Sequence, residues 1–329
     1  MIEVDFLAVE GSDGPGSKSG DAIAIRYEPG VGQRSKVVLI DGGYGEIGAR
    51  LVRHVNERYG SAEVNLVVST HPDANPLNGL IRVVQELEVK ELMMHLPWEH
   101  HNDVDEYSNL EKIEELYSLA VTNDVKVTEP FAGEIRFEDS LRILGPSSTY
   151  YEELLAEAVP TNVVEKTIKA SAQAIGDAFA KSELSDDELD NSDDTSPRNN
   201  TSVILSIIAS NEFHVFTGDA GITALTHAAD EFKSALSGSR PSQVEFFQVP
   251  HHGSRHNLGP EVLDLWFPRG SVGTTAFISS ALADEKHPGT AVLAELRSRG
   301  FLVHSTEGKD LLHFHGSVNR PDYREAPPA

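Results

Sequence analysis

The 329-residue chain contains no cysteine. Disulfide bridges, thiolate-bound zinc and cysteine catalysis are therefore excluded, and histidine and carboxylate side chains are the candidate metal ligands. A chain of this length can bury a core large enough to fold without disulfides or a structural metal.

Basic residues are also scarce. The chain has 27 Lys and Arg against 52 Asp and Glu, which gives a formal net charge of -25. This balance argues against sequence-independent binding of nucleic acid through a basic patch, because such binding needs many cationic side chains. It argues equally against an anionic membrane as a partner. A phosphate ester held by a metal ion remains compatible with the charge.

Long apolar runs are absent as well. The longest ones, such as 37–40 and 203–208, are far shorter than the roughly 18 residues that a membrane-spanning helix needs. The chain opens on the apolar run 2–9, without the basic and apolar regions of a signal peptide. We therefore expect a soluble, cytoplasmic protein.

What the sequence does contain is an alternation of strand and helix patterns, which predicts a layered α/β fold. The predicted strands lie at 2–9, 21–27, 37–40, 64–69, 141–144, 201–209, 212–216, 244–249 and 276–279. The clearest predicted helices lie at 47–59, 80–88, 110–122 and 290–299. Residues 182–198 are strongly acidic and almost free of apolar side chains, so we expect a disordered insertion within a single domain spanning 1–329.

Three predicted strands end on possible metal ligands. The segments are His71-Pro72-Asp73-Ala74-Asn75, then Gly218-Asp219, then His251-His252. Histidine and aspartate presented on such loops can bind a divalent metal, which can acidify water and polarise a phosphoryl oxygen. Each segment also has a simpler interpretation, as a turn, a helix N-cap or a pair of surface histidines.

The order of these and other segments resembles the metallo-β-lactamase fold, and within it the soluble hydrolase domain of the competence protein ComEC. The matching segments are Phe6-Leu7-Ala8-Val9, Gly20-Asp21-Ala22, Leu39-Ile40-Asp41-Gly42-Gly43, Asn199-Asn200-Thr201-Ser202, Thr217-Gly218-Asp219-Ala220, Val249-Pro250-His251-His252-Gly253-Ser254, Lys286-His287-Pro288 and Thr306-Glu307-Gly308. The resemblance implies an αββα sandwich of two mixed sheets with outer helices.

The resemblance also implies roles for individual residues. His71 and Asp73 would bind one metal, Asp219 would bridge or orient the centre, and His251 or His252 would bind a second metal. The implied catalytic residues are Asp73, Asp219 and His287, the last as a substrate contact or acid. The implied substrate contacts are Asn75, Asn199, Asn200, Ser254, Arg255 and Lys286. Asp41 would lie under the site and fix a ligand loop.

The chain departs from the family's main motif, Ser-His-x-Asp-x-Asp-His, at two positions. Asn75 stands where the motif has aspartate, and Pro76 stands where it has histidine. Asparagine offers only a neutral oxygen, and proline offers no side-chain ligand. We therefore expect one divalent ion, Mn²⁺, Mg²⁺ or Zn²⁺, rather than two, or no ion if the site has decayed.

Two functions are consistent with these features. The first is a metal-dependent hydrolase that acts through a metal-activated water on a phosphodiester or nucleotide-like substrate, a class that includes nucleic acids. The alternative is a catalytically impaired protein of the same fold that serves as a binding or regulatory partner of another protein. The retained ligand types favour the hydrolase, whereas Asn75 and Pro76 favour the alternative.

Overall fold

The computed structural model describes residues 1–10, 18–105, 107–159, 189–235, 244–267 and 272–316. Residues 182–188 of the predicted acidic insertion lie outside these ranges.

The first of two large sheets is built mainly from the N-terminal half of the chain. Its strand order is β16-β1-β2-β3-β5-β7-β8, antiparallel from β16 to β3 and parallel from β3 to β8. The strands are β1 (Ile2–Phe6), β2 (Ile23–Tyr27), β3 (Lys36–Ile40), β5 (Leu66–Val68), β7 (Glu91–Met93), β8 (Lys126–Thr128) and β16 (Leu311–His315).

The second sheet is also mixed. Its order is β15-β14-β13-β12-β11-β10-β9, parallel from β15 to β12 and antiparallel from β12 to β9. The strands are β9 (Ile135–Arg136), β10 (Leu141–Gly145), β11 (Ile204–Ala209), β12 (Glu212–Phe216), β13 (Val244–Gln248), β14 (Thr275–Ile278) and β15 (Leu302–Ser305). A separate two-stranded parallel sheet consists of β4 (Glu63–Val64) and β6 (Glu88–Val89).

The described helices are α1 (Gly45–His54), α2 (Ala74–Glu86), α3 (Pro97–His100), α4 (Leu110–Thr122), α5 (Ser148–Ala158), α6 (Pro197–Asn200), α7 (Ile222–Ala235), α8 (Pro260–Trp266) and α9 (Thr290–Ser298). A π-helical turn, Val55–Tyr59, continues α1. No helix in these ranges is long and apolar enough to cross a membrane.

Three apolar clusters fill the spaces between the layers of the sandwich. One lies between the sheets, where Phe6 packs edge-on against Phe246 and Phe277. A second joins the outer face of the first sheet to helices such as α1, α2 and α4, and a third joins the second sheet to α7, α8 and α9. The predicted αββα sandwich of two mixed sheets with outer helices is confirmed.

Helix α2 begins earlier than the sequence pattern predicts, at Ala74 instead of residue 80. Pro76 lies in the first turn of α2, where proline is tolerated because the N–H groups there have no partner inside the helix. The predicted helix 110–122 and the predicted hairpin around Ser210 and Asn211 are confirmed.

Two glycines let α2 approach the end of strand β3. A Cβ on Gly79 would lie 1.8 Å from the carbonyl oxygen of Gly42, and a Cβ on Gly42 would lie 2.4 Å from the backbone nitrogen of Leu80. Only glycine fits at such a contact. The helix that follows the His71 loop is therefore pressed directly onto the turn that carries Asp41.

The described part of the acidic segment, residues 189–198, makes defined contacts. The Asp193 carboxylate accepts hydrogen bonds from the backbone N–H groups of Ile222 and Thr223, at the start of α7. The Asn191 side chain accepts one from the N–H of Glu261, in the first turn of α8. These residues thus cap two helices of the second layer.

Candidate metal centre

The candidate ligands meet where parallel strands of the two sheets end. His71 follows β5 of the first sheet, Asp219 follows β12 of the second, and His251 and His252 follow β13. The carboxyl ends of parallel strands lie at one edge of a sheet, so packing two such edges together brings these loops to one place.

The first group of ligands is His71, Asp73 and Asp219. One ligand atom from each lies within 4.8 Å of the others. His71 Nε2 is 3.4 Å from Asp219 Oδ2 and 3.7 Å from Asp73 Oδ2. Two ligands of a tetrahedral zinc ion are about 3.3 Å apart, since each bond is about 2.0–2.1 Å long. The group therefore has the residue types and the spacing that a divalent cation needs.

Asp41 holds the His71 loop, the role that the family resemblance implies for it. Its fully buried carboxylate accepts hydrogen bonds from the backbone N–H of Thr70, at 2.9 Å, and from the Thr70 hydroxyl, at 2.5 Å. That hydroxyl lies 2.7 Å from Nδ1 of His71. When Asp41 is ionised, the hydroxyl donates to it and accepts from Nδ1–H, which leaves Nε2 free to bind a cation.

The pKa values of His71, Asp219 and Asp41 are shifted by burial and by their charged neighbours. Burial alone would lower the pKa of His71, but the carboxylates of Asp219, Asp73 and Asp41 raise it to about 10. Burial alone would raise the pKa of Asp219, but His251, His71 and His252 hold it well below its usual value. Burial raises the pKa of Asp41 to about 7, against the opposing effects of His71 and Thr70. The site therefore attracts positive charge.

His251 and His252 occupy a tight turn with left-handed backbone. Their φ angles are 46° and 58°, a conformation that is unfavourable for residues other than glycine. His251 Nε2 lies 3.7 Å from Asp219 Oδ2, and His252 Nε2 lies 3.9 Å from Asp219 Oδ1. Backbone outliers of this kind are found at functional sites, where surrounding contacts hold them.

Asn257, which the sequence patterns do not single out, braces this turn. Its side-chain oxygen lies 2.9 Å from Nδ1 of His251, and its amide donates to the backbone carbonyl of Asp219 at 2.9 Å. The side chain is 1 % exposed.

A second group consists of Asp21, Asp219 and His252, with one ligand atom of each within 4.8 Å of the others. Asp21 lies between β1 and β2 and is 4 % exposed. Burial raises the pKa of its carboxyl group, against the opposing effect of His252. The sequence patterns did not predict Asp21 as a ligand.

Buried atoms without partners support the presence of a cation at this centre. Oδ1 of Asp219, Oδ1 of Asp21 and Nδ1 of His252 have no hydrogen-bond partner in the described part of the chain. A buried polar atom left without a partner is costly, and a bound cation would satisfy the two carboxylate oxygens. The donor set, histidine and carboxylate, fits zinc, manganese or magnesium.

Four of the predicted substrate and catalytic residues line one groove beside the centre. These four residues are Ser254, Arg255, Lys286 and His287. His256 and Glu285, which were not predicted, also line the groove. The His287 ring stacks on that of His251 at 5.8 Å, and its Nδ1 is 3.1 Å from Asp284 Oδ2. Burial lowers the pKa of His287, although Asp284 opposes this effect. In the neutral ring with Nδ1–H donated to Asp284, Nε2 is an acceptor.

The predicted asparagine contacts lie in different environments. The Asn199 amide is 3.3 Å from Nδ1 of His251, at the edge of the centre. The Asn200 side chain is buried, and its oxygen accepts a hydrogen bond from the N–H of Gly221. Asn75 is in the first turn of α2, and its side chain lies outside the described part of the structure.

Comparisons with known proteins give little further information. No family model and no curated protein matches the chain. Among solved structures, a HARLDQ-motif mutant of a metallo-β-lactamase from Cronobacter sakazakii is similar over 70% of this chain and 73% of that one, with 8% identity and a TM-score of 0.32. A likeness this distant carries no information about function, which is therefore argued from the site itself.

Proposed function

We propose that this protein is a metal-dependent hydrolase that cleaves an anionic ester, most simply a phosphodiester or nucleotide-like substrate. The observation that carries the proposal is the convergence of His71, Asp73 and Asp219, with Nε2 of His71 facing both carboxylates. A divalent cation bound there would acidify a water molecule and polarise a phosphoryl oxygen.

The residues of the chain would bind and orient the substrate. Arg255 and Lys286 would place positive charge along the groove that adjoins the centre, which an anionic ester needs on a protein of net charge -25. His287, held by Asp284, would present Nε2 to the substrate as an acceptor. The resemblance to the hydrolase domain of ComEC agrees with a phosphodiester substrate.

Hydrolysis of bis(p-nitrophenyl) phosphate with added Mn²⁺, Mg²⁺ or Zn²⁺ tests this proposal. The wild-type chain should be active with at least one ion, and Asp219→Asn should lower kcat/KM by at least about 100-fold, because the carboxylate faces both ligand groups. Asp310→Asn is a matched control, since that carboxylate accepts from the Ala8 N–H and pairs with Arg50 away from the centre. No hydrolysis with any ion, or equal rates in wild type and Asp219→Asn, would refute the proposal.

The alternative is a binding or regulatory protein with an impaired site. It is favoured by Asn75 and Pro76, which remove two ligands of the family motif. A chain that binds the cation with normal stoichiometry but hydrolyses no phosphodiester would support this alternative.

A further inference from the structure

Arg198 places a guanidinium group at the candidate metal centre. Its Nη2 atom lies 3.6 Å from Oδ1 of Asp73, whose other oxygen, Oδ2, lies 3.7 Å from Nε2 of His71. Arg198 is also the one basic residue between positions 189 and 200, in a segment that is otherwise acidic or neutral. A cationic side chain therefore already faces one of the three side chains that would hold a divalent ion.

The short helix α6 is held in place without the Arg198 guanidinium. The Thr201 hydroxyl donates to the backbone carbonyl of Arg198 at 2.6 Å, and the side-chain oxygen of Asn200 accepts a hydrogen bond from the N–H of Gly221. These contacts use the backbone and the neighbouring side chains. Substitution of the Arg198 side chain should therefore leave α6 where it is.

The pairing of Arg198 with Asp73 is loose. The distance of 3.6 Å is longer than the roughly 2.7–2.9 Å of a charge-assisted hydrogen bond, and the two side chains are 33 % and 38 % exposed. Exposed pairs of this kind contribute little to stability. Within the described residues this is the one ion pair of the guanidinium, so the group is available to an anion that binds it more strongly.

We propose that Arg198 binds the phosphoryl group of the substrate, and that it pairs with Asp73 while no cation occupies the centre. Asp73 cannot pair fully with both the guanidinium and a divalent cation, because the two compete for the same carboxylate charge. When Asp73 serves as a ligand, the planar guanidinium is free to donate two hydrogen bonds to a phosphoryl group. The proposal rests on the proposed function, because it adds a substrate contact at the same centre.

This exchange of partners has two opposite consequences. Removal of the guanidinium should strengthen cation binding, because a competing positive charge beside Asp73 is lost. The same change should weaken phosphate binding, because two hydrogen-bond donors are lost. An ion pair that only supported the His71 loop would behave differently, since its loss would weaken the binding of both.

Arg198→Gln tests both consequences. Its Mn²⁺ affinity, measured without substrate by competition with a fluorescent chelator, should rise by about 3- to 10-fold. Its affinity for inorganic phosphate, measured by calorimetry on the Mn²⁺-loaded chain, should fall by about 10-fold, and KM for bis(p-nitrophenyl) phosphate should rise by a similar factor. Arg82→Gln is the matched control, because it removes a partly exposed guanidinium that pairs with Glu86 along α2. Both affinities should be unchanged in that variant.

Arg198→Lys separates the charge of the side chain from its hydrogen-bonding geometry. Lysine keeps a positive charge beside Asp73, so the Mn²⁺ affinity should stay close to that of the wild type. Lysine lacks the planar pair of donors, so phosphate should still bind several-fold more weakly than to the wild type. A lysine variant that binds Mn²⁺ as tightly as Arg198→Gln does would contradict competition between the two cations.

The results for Arg198→Gln distinguish failure of this proposal from failure of the proposed function. Unchanged or weaker Mn²⁺ binding would overturn the exchange of partners, and unchanged phosphate affinity would overturn the substrate contact, while hydrolysis by the wild type would still support the hydrolase. A wild-type chain that binds Mn²⁺ and phosphate but cleaves no diester would refute the hydrolase, while the two opposite shifts would still support the anion contact. A folded wild-type chain that binds no Mn²⁺ would overturn both.

Discussion

The carboxylate of Asp219 lies 3.4 Å from the imidazole of His71, although the two residues come from different sheets and are 148 positions apart. Both side chains are buried. The contact joins the parallel edge of the first sheet to that of the second, and the candidate metal centre is built around it.

The Thr70 hydroxyl connects Asp41 to His71 through hydrogen bonds. Thr70→Val removes the hydroxyl that lies between the Asp41 carboxylate and Nδ1 of His71. Residues that orient a metal ligand typically affect metal affinity by about 10–100-fold, so we expect Mn²⁺ or Zn²⁺ binding to weaken by that factor. Competition with a fluorescent chelator measures this change.

Thr274→Val is the matched control for that experiment. Thr274 is also buried, and its hydroxyl donates to the carbonyl of Val244, away from the centre. This variant should lose stability but bind metal with unchanged affinity. If both variants bind metal equally well, the Asp41–Thr70–His71 contact does not support the centre.

The groove beside the centre should select anionic substrates. Arg255→Ala or Lys286→Ala should each raise KM for bis(p-nitrophenyl) phosphate about 3- to 10-fold with little change in kcat, because partly exposed charges contribute modestly to binding. Lys112→Ala, which removes a cation that pairs with Glu115 on α4, should leave KM unchanged. Equal KM values in all three variants would show that this groove does not bind the ester.

Acid should destabilise the sandwich through His214 and His313, two histidines whose pKa burial lowers. His214 is fully buried between the sheets, and burial lowers its pKa to about 3, while burial lowers that of His313 to about 4. Their pKa in the unfolded chain is about 6.5, so between these values the unfolded state binds protons that the folded state does not. Stability is therefore retained above about pH 6.5 and is lost as the pH falls toward 3.

The variant His214→Leu isolates this effect. Removing one such histidine should make the free energy of unfolding less steep in pH, by up to about 1.4 kcal/mol per pH unit within that window. Urea unfolding at pH 5 and pH 7.5 measures the difference. An unchanged pH slope in His214→Leu would show that His214 does not stay neutral in the folded protein.

The contact between Gly79 and Gly42 positions α2 behind the His71 loop. Gly79→Ala would place a Cβ 1.8 Å from the carbonyl oxygen of Gly42, so the helix must move. We expect the free energy of unfolding to fall by about 1–3 kcal/mol, as at other overpacked sites. Gly45→Ala is the control, because a Cβ there meets nothing within 4 Å, and its stability should be unchanged or slightly higher. Equal stability of the two variants would contradict the close approach.

Local patterns predict much of this fold and part of the centre. His71, Asp219 and the His251-His252 pair are found from the sequence because each directly follows an apolar strand, and strand ends of parallel sheets share an edge. The hairpin around Ser210 and Asn211 is likewise a local signal, since turn-forming residues separate two apolar strands.

Other features depend on contacts between distant segments. Asp21 reaches the centre only because the two sheets pack face to face, and Asn257 acts through the backbone of Asp219. Neither residue has a spacing that indicates its role. Helix α2 begins six residues before the predicted start at residue 80, and Pro76 in its first turn is compatible with that early start.

The most direct test of the metal centre is an anomalous difference map from crystals of the full chain grown with Mn²⁺. The account predicts a peak between Nε2 of His71, Oδ2 of Asp73 and Oδ2 of Asp219, and its loss in crystals of Asp219→Asn. A fully Mn²⁺-equilibrated crystal with no peak among these three side chains would contradict it.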